Sequence, residues 1–349
     1  MNNNPFNISF GRKPYQYISR FLASHKVSDT FLSEHPSSQV YLLTGVRGSG
    51  KTVLMTDIMY GFKNEKDWIV IELNPELNLL EDLASKLYSI PELQKIFIKA
   101  KIDFSAFGLG LSMEKNVPKT NIETVIEQML KELKKKRKKL LIALDEVTNS
   151  KNVRIFASAF QIFIRNEFDL FLIMTGLYEN IFDLQNVKTL TFLYRAPKIV
   201  LEPLNSYAIT RSYKDIFNIS EEEATRMSQA TNGFAFAYQA LGYIKWEHKT
   251  YSLEALYPEY DQYLAEFVYD KVWMELSAKD RLIVSALAED GESKVGDLLN
   301  KLEISSSLFS TYRDRLSKKG LINTHKYGFV SFTLPRFKEY VIRNATIDK

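Results

Sequence analysis

Residues Gly45-Val46-Arg47-Gly48-Ser49-Gly50-Lys51-Thr52 match the pattern G-x-x-x-x-G-K-[ST] at every fixed position. The apolar run Val40-Tyr41-Leu42-Leu43-Thr44 leads into them, and an amphipathic stretch from Lys51 to about Phe62 follows. A buried strand, a glycine-rich turn and a helix start in that order leave little choice of chemistry. The glycines let backbone N–H groups turn inward on an anion with no Cβ in the way, and a helix N-terminus favours negative charge. Lys51 would place a positive charge on the β- and γ-phosphates, and Thr52 would offer its hydroxyl to Mg2+. The motif therefore predicts a site for ATP with Mg2+, lined by Gly45, Val46, Arg47, Gly48, Ser49, Gly50, Lys51 and Thr52. Arg47 stands at a variable position and is as readily read as pointing to solvent.

A second signal lies further along the chain, where Leu140-Leu141-Ile142-Ala143-Leu144 runs into Asp145-Glu146. A carboxylate at the end of a buried strand is costly unless a cation meets it, and Mg2+ beside the phosphates is that cation. Asp145 is expected to hold the metal through water, and Glu146 to polarise the attacking water as a general base. Thr175 ends the next apolar strand, where it either orients that water or caps the turn into Gly176. Arg195, in Tyr194-Arg195-Ala196-Pro197, either stabilises charge on a transferring phosphoryl group in a neighbouring copy of the chain or is a surface arginine.

Around these motifs the pattern alternates. Trp68–Leu73, Leu140–Leu144, Leu170–Thr175 and Lys198–Leu201 read as strands beside the first, and Phe104–Met113 as a further strand or hairpin. Helical periodicity is expected from Pro14 to Leu32, from Leu79 to Leu87 and from Ile122 to Lys139, and alternation of this kind predicts a parallel sheet covered on both faces. The helix from Ile122 ends in Lys134-Lys135-Lys136-Arg137-Lys138-Lys139. That run suits a solvated helix terminus, with a nucleic-acid or lipid contact as the other reading. Asn205 to Trp246 looks wholly helical, and Tyr257-Pro258 reads as a linker.

Composition sets outer bounds. With 349 residues, 45% hydrophobic and 25% charged, the chain suits two or three globular domains. It has no cysteine, which excludes disulfides, thiol catalysis and cysteine zinc sites, and its 4 histidines show no metal-ligand spacing. A net charge of +4 permits a phosphate-bearing partner without demanding one. The N-terminus has no signal-peptide pattern and no apolar run approaches the ~18–20 residues of a membrane span. A cytoplasmic protein that does not enter a membrane is expected.

Towards the C-terminus, helices are expected over Ala278–Glu289, Lys294–Leu302 and Ser305–Lys319, the last with serine at its N-cap, followed by strands Leu321–Thr324 and Gly328–Phe332. That order looks like a winged helix-turn-helix. Its third helix would present Ser306, Ser307, Ser310, Thr311, Arg313, Arg315, Lys318 and Lys319. Small polar residues followed by basic ones suit contact with duplex DNA, while Glu303 and Asp314 dilute the positive field and leave a protein-packing role open.

Taken together, the phosphate loop, the Asp-Glu strand, the threonine-ended strand and the arginine before the fifth strand resemble the AAA+ class. Within it, residues 5–345 are similar to archaeal and prokaryotic ATPases related to STAND NTPases and to origin-recognition-type initiators. Phe10-Gly11-Arg12 resembles the family's N-terminal Gly-Arg box, and Leu201-Glu202-Pro203-Leu204 its turn into a helical lid. The resemblance implies an α/β P-loop core over 1–204, a helical lid over 205–268 and a winged helix-turn-helix domain over 269–349. It also implies ATP hydrolysis with Mg2+, either associated with DNA or gating a protein partner, in a chain able to form homo-oligomers. One position departs from the initiator pattern. In Gly233-Phe234-Ala235-Phe236, Phe236 falls where a lid arginine is expected.

Overall fold

Five apolar strands, β1 (Val40–Thr44), β2 (Trp68–Leu73), β3 (Lys139–Leu144), β4 (Leu170–Gly176) and β5 (Lys198–Val200), form one sheet in the order β2-β3-β4-β1-β5. Every pairing in it is parallel. The computed structural model describes residues 3–9, 13–102 and 121–345, so the Phe104–Met113 strand and the Phe10-Gly11-Arg12 box lie outside the described residues. The chain divides into two compact units, one of Phe21–Thr44 and Lys51–Val200, the other of Met1–Arg20, Gly45–Gly50 and Leu201–Lys349.

The first unit is the sheet and its helices: α1 (Phe21–Leu32), α2 (Lys51–Lys63), α3 (Leu79–Tyr88), α4 (Pro91–Lys99), α5 (Ile122–Lys135), α6 (Lys151–Arg165), α7 (Tyr178–Gln185) and α8 (Thr191–Arg195). β1 and β4 are buried along their whole length, as the unbroken apolar runs of a doubly covered parallel sheet require. Period-two alternation sorts their side chains. Val40, Leu42, Ile142 and Leu172 join a core with Leu83, Leu87, Val125, Met129 and Phe160. Tyr41 and Phe171 turn the other way, into an aromatic layer with Phe31, Phe62 and Trp68 whose ring centroids lie 4.3–6.0 Å apart. Asn78, Asn121 and Ser150 accept from backbone N–H groups at the starts of α3, α5 and α6, which satisfies donors that a helix N-terminus leaves over.

Two expected helices are shorter. The helix expected from Pro14 begins at Phe21, because Gln16 is committed elsewhere: its N–H donates to Pro5 O at 3.0 Å and its carbonyl accepts from Gln239 at 2.7 Å. The helix expected to reach Lys139 stops at Lys135. Arg137 is left-handed, φ 55°, and Lys139 N–H donates to Asp67 O at 2.8 Å as the start of β3. The lysine run has ample helix propensity, but sheet pairing overrides it.

In the second unit, α9 (Ser206–Phe217), α10 (Glu221–Thr231) and α11 (Ala235–Glu247) pack around buried Ile209, Tyr213, Met227, Tyr238 and Leu241. The N-terminal strap docks on them through Phe6, whose ring fills the space left by Gly242. A Cβ there would lie 2.4 Å from the ring. Gly242→Ala should therefore expel Phe6. The helix-propensity gain of about 1 kcal/mol is outweighed, and a net loss of about 1–3 kcal/mol of stability is expected, measurable by denaturant titration.

The Tyr257-Pro258 linker expected from the sequence is instead helical. Helix α12 (Leu253–Leu264) contains Pro258 and continues through a π-helical segment, Ala265–Tyr269, into α13 (Asp270–Met274). Ser252 caps its start, and Leu256, Tyr260 and Leu264 are buried along one side. That burial offsets the hydrogen bond which Pro258 cannot donate.

Beyond it lie α14 (Ala278–Asp290), β6 (Glu292–Lys294), α15 (Val295–Leu302), α16 (Ser306–Lys318), β7 (Ile322–Asn323), β8 (Phe329–Phe332) and α17 (Phe337–Ala345). The three strands form an antiparallel sheet in the order β6-β8-β7. The sequence reading missed β6 and α17, and Lys294, expected to open a helix, closes β6. Among the described residues no helix is long and apolar enough to cross a membrane.

Candidate nucleotide site

Sheet register brings the first group of candidate residues together. Leu144 at the end of β3 pairs with Met174 of β4, so Asp145 leaves the sheet beside Thr175, while Thr175 pairs with Leu43 of β1 on its other side. Thr52 stands in the first turn of α2. Its hydroxyl donates to Asp145 Oδ2 at 2.7 Å, and the fully buried Thr175 hydroxyl donates to Asp145 Oδ1. The backbone then turns sharply. Glu146 is left-handed, φ 51°, an uncommon conformation for a side chain of this size. Its N–H donates at 3.1 Å both to Thr175 Oγ1 and to Asp145 Oδ1. Val147 N–H donates to Thr175 O at 2.8 Å. The Glu146 side chain is thereby carried out to solvent on a pinned backbone, and Lys51 is buried at the start of α2. Arg195 is the exposed last residue of α8 and takes no part in the Asp145 cluster.

One carboxylate and two hydroxyls make a donor set that fits Mg2+. This ion dehydrates reluctantly and is held by one or two carboxylates together with phosphates and water. Thr52 spends its proton on Asp145, which leaves its oxygen lone pairs for a cation.

The glycine-rich loop itself, Gly45–Gly50, belongs to the second unit. Gly48 and Gly50 are left-handed, with φ +79° and +91°, so any other residue would be strained at either place. Ser49 N–H closes a turn on Val46 O at 3.1 Å. The start of α11 and the π-helical segment pack directly on the loop: Phe236 N–H donates to Gly48 O at 3.0 Å, and a Cβ at Gly48 would lie 2.8 Å from the Phe234 ring and 3.3 Å from Val268. Arg47 is ion-paired with Glu275 at 3.2 Å rather than turned to solvent. Ser49 Oγ is buried with no hydrogen-bond partner among the described residues.

Sequence reading missed Arg20. Its guanidinium donates to Ser49 O at 2.9 Å and to Glu202 O at 2.5 Å. Burial lowers its pKa to about 10, against the raising effect of Glu202. Arg20 falls within the helix expected from Pro14 to Leu32, where no motif singles it out.

On α16, Ser306, Ser307, Ser310 and Thr311 are exposed and Arg313 is half-exposed. Thr311 Oγ1 donates to Ser307 O at 3.2 Å. Arg315 is held by Asp280 and by Ser277 Oγ at 3.1 Å, and Lys318 pairs with Asp314 at 2.7 Å.

A family model described as a domain of unknown function (DUF8462) matches residues 266–341. No curated protein matches the chain. Among solved structures, the Aeropyrum pernix ORC2 protein, described as ADPNP-ADP complexes, is similar with a TM-score of 0.62 at 14% identity, over 98% of this chain and 98% of that one. The ADP form of the same protein gives a TM-score of 0.51 at 13% identity, over 98% and 97%. At these identities the likeness is one of fold: the chain is folded like the Aeropyrum pernix protein over nearly the whole of both chains.

Proposed function

We propose that this chain binds ATP with Mg2+ and hydrolyses it to ADP and phosphate. The observation that carries the reading is the Thr52–Asp145 hydrogen bond of 2.7 Å beside the Thr175 hydroxyl, a hydroxyl–carboxylate pair suited to a cation that bridges to phosphates. Bound Mg2+ would neutralise charge on the β- and γ-phosphate oxygens. In this reading, Gly45 to Gly50 direct N–H groups at the phosphates, Lys51 adds its charge, and Thr52 and Asp145 hold the ion. Glu146 takes the proton of the attacking water. Thr175 keeps Asp145 and the Glu146 backbone in place, and Arg195 acts on the site of a neighbouring copy. The nucleotide complexes of the Aeropyrum pernix protein support the ligand class.

Removing the loop cation tests it. Lys51→Ala should weaken ATP by about a hundredfold, the cost of roughly one charged phosphate contact, read by calorimetric titration. Unchanged affinity rejects the reading.

The division into core, lid and winged helix-turn-helix domain (269–349) belongs to the same proposal, with DNA as the partner of the last. A specific observation favours a second reading, a nucleotide-gated switch acting on a protein. Two basic side chains of α16 are already occupied, Arg315 by Asp280 and Lys318 by Asp314. Titrating duplex DNA at several salt concentrations separates the two. Phosphate contact lowers log affinity against log salt with a slope of about −0.9 per phosphate neutralised. A flat line gives the domain to a protein partner.

A further inference from the structure

Arg20 is the last residue of the N-terminal strap, and its donors reach two carbonyls that are far apart in sequence. One is Ser49 O in the phosphate loop, and the other is Glu202 O in the turn after β5. A planar guanidinium holds two acceptors at once in fixed directions, which an ammonium does not.

The Ser49 carbonyl belongs to the same peptide plane as the Gly50 N–H. In a trans peptide these two groups point in opposite directions, and the chain has no cis peptide bond among the described residues. Fixing Ser49 O on Arg20 therefore fixes Gly50 N–H on the opposite face of the loop. The neighbouring plane is set in the same manner, with Gly48 O held by Phe236 N–H at 3.0 Å. Gly50, at φ +91°, is the residue that permits this orientation.

The strap that carries Arg20 is itself tied down. Phe6 lies in the space above Gly242. Asn7 N–H donates to Gln239 Oε1 at 3.0 Å, and Gln16 Nε2 donates to Ser212 Oγ at 3.0 Å. Arg20 is thus a fixed clamp.

We propose that Arg20 is a positioning residue of the nucleotide site, which orients the Ser49–Gly50 peptide so that Gly50 N–H is presented to a phosphate. The proposal rests on the ATP-binding reading above. Arg20 does not touch the nucleotide; it acts through the loop backbone.

Ser-Gly occurs once in the sequence, at Ser49-Gly50. Labelling serine carbonyl carbon and glycine nitrogen therefore isolates the Gly50 amide in an NMR spectrum. In the wild-type chain, ADP should move that amide proton downfield, as donation to a phosphate oxygen does. In Arg20→Gln the shift should shrink and affinity for ADP and ATP should fall about tenfold to a hundredfold. Arg20→Lys, keeping charge but not the two-carbonyl geometry, should fall between. A nucleotide-free melting temperature close to wild type separates positioning from general destabilisation.

Wild-type affinity in Arg20→Gln overturns the proposal. So does a wild-type Gly50 amide that ADP leaves unmoved although calorimetry shows ADP bound; that measurement needs no variant to fold. No calorimetric binding of ADP or ATP to wild type would instead sink the ATP reading itself, and the proposal with it.

Discussion

Glu146→Gln should bind ATP as the wild type does and release phosphate about 10²- to 10⁴-fold more slowly, the usual contribution of a positioned general base. The substitution is nearly isosteric, so it isolates the chemistry. The turn at this corner is set by the backbone and by its bonds to Thr175 and Asp145. The left-handed turn at φ 51° belongs to residue 146 whatever its head group, and its N–H still donates to Thr175 Oγ1 and Asp145 Oδ1. The Thr52–Asp145 bond is untouched. What disappears is a carboxylate carried out to solvent beside Asp145. Phosphate release and calorimetric titration on the same preparation check both halves. An unchanged rate removes Glu146 from the reaction, and a parallel loss of affinity assigns it to binding instead.

The strands were legible in the sequence because a parallel sheet covered on both faces needs unbroken apolar runs, and Leu140–Leu144 and Leu170–Thr175 supply them. The residues gathered around Asp145 were legible for a related reason. A carboxylate or hydroxyl that ends such a run is conspicuous, and the sheet register that brings Asp145 beside Thr175 follows once the strands are adjacent. What escaped depends on partners distant in sequence. Nothing local says that Gln16 spends its N–H and carbonyl on Pro5 and Gln239, and so prevents a helix from starting before Phe21. Nothing local says that Arg20 meets two carbonyls. The basic face expected of α16 is reduced in the same way, since Asp280, which takes up Arg315, sits on α14 and is 1% exposed. Pro258 misled in the opposite sense. It signals a break, but Ser252 fixes the helix start ahead of it and the apolar side of α12 is buried.

Asp261→Ala should cost about 3 kcal/mol of stability, the low end of the range for removing one partner of a buried ion pair because Arg336 is partly exposed, and lower the melting temperature by roughly 10 °C. Asp261 is 6% exposed. It accepts from Arg336 Nε and, at 2.7 Å, from Arg336 Nη2, while Arg343 Nη2 lies 3.5 Å away. The bond to Asp261 is the largest influence raising the Arg336 pKa; when that bond is removed the guanidinium still keeps its proton, as arginine does in proteins. Arg336 is left-handed, φ 55°, and its guanidinium lies 4.2 Å from the Tyr257 ring centroid. It is held on one side by α12 and placed by the turn into α17 on the other. Tyr269 OH to Pro335 O and Tyr340 OH to Asp270 Oδ1 join the π-helical segment and α13, which continue α12, to the turn before α17 and to α17 itself. Loss of the carboxylate leaves Arg336, whose side chain is 22% exposed, to the longer ion pair with Glu339 at 3.6 Å. Arg343→Ala is the control. That side chain is 53% exposed, so its pair with Asp261 is screened and about 1 kcal/mol or less is expected. Calorimetric melting of both variants decides the matter. Equal losses would mean that the carboxylate acts as a diffuse charge, whereas a loss confined to Asp261→Ala identifies the Arg336 bond as the tie between α12 and α17.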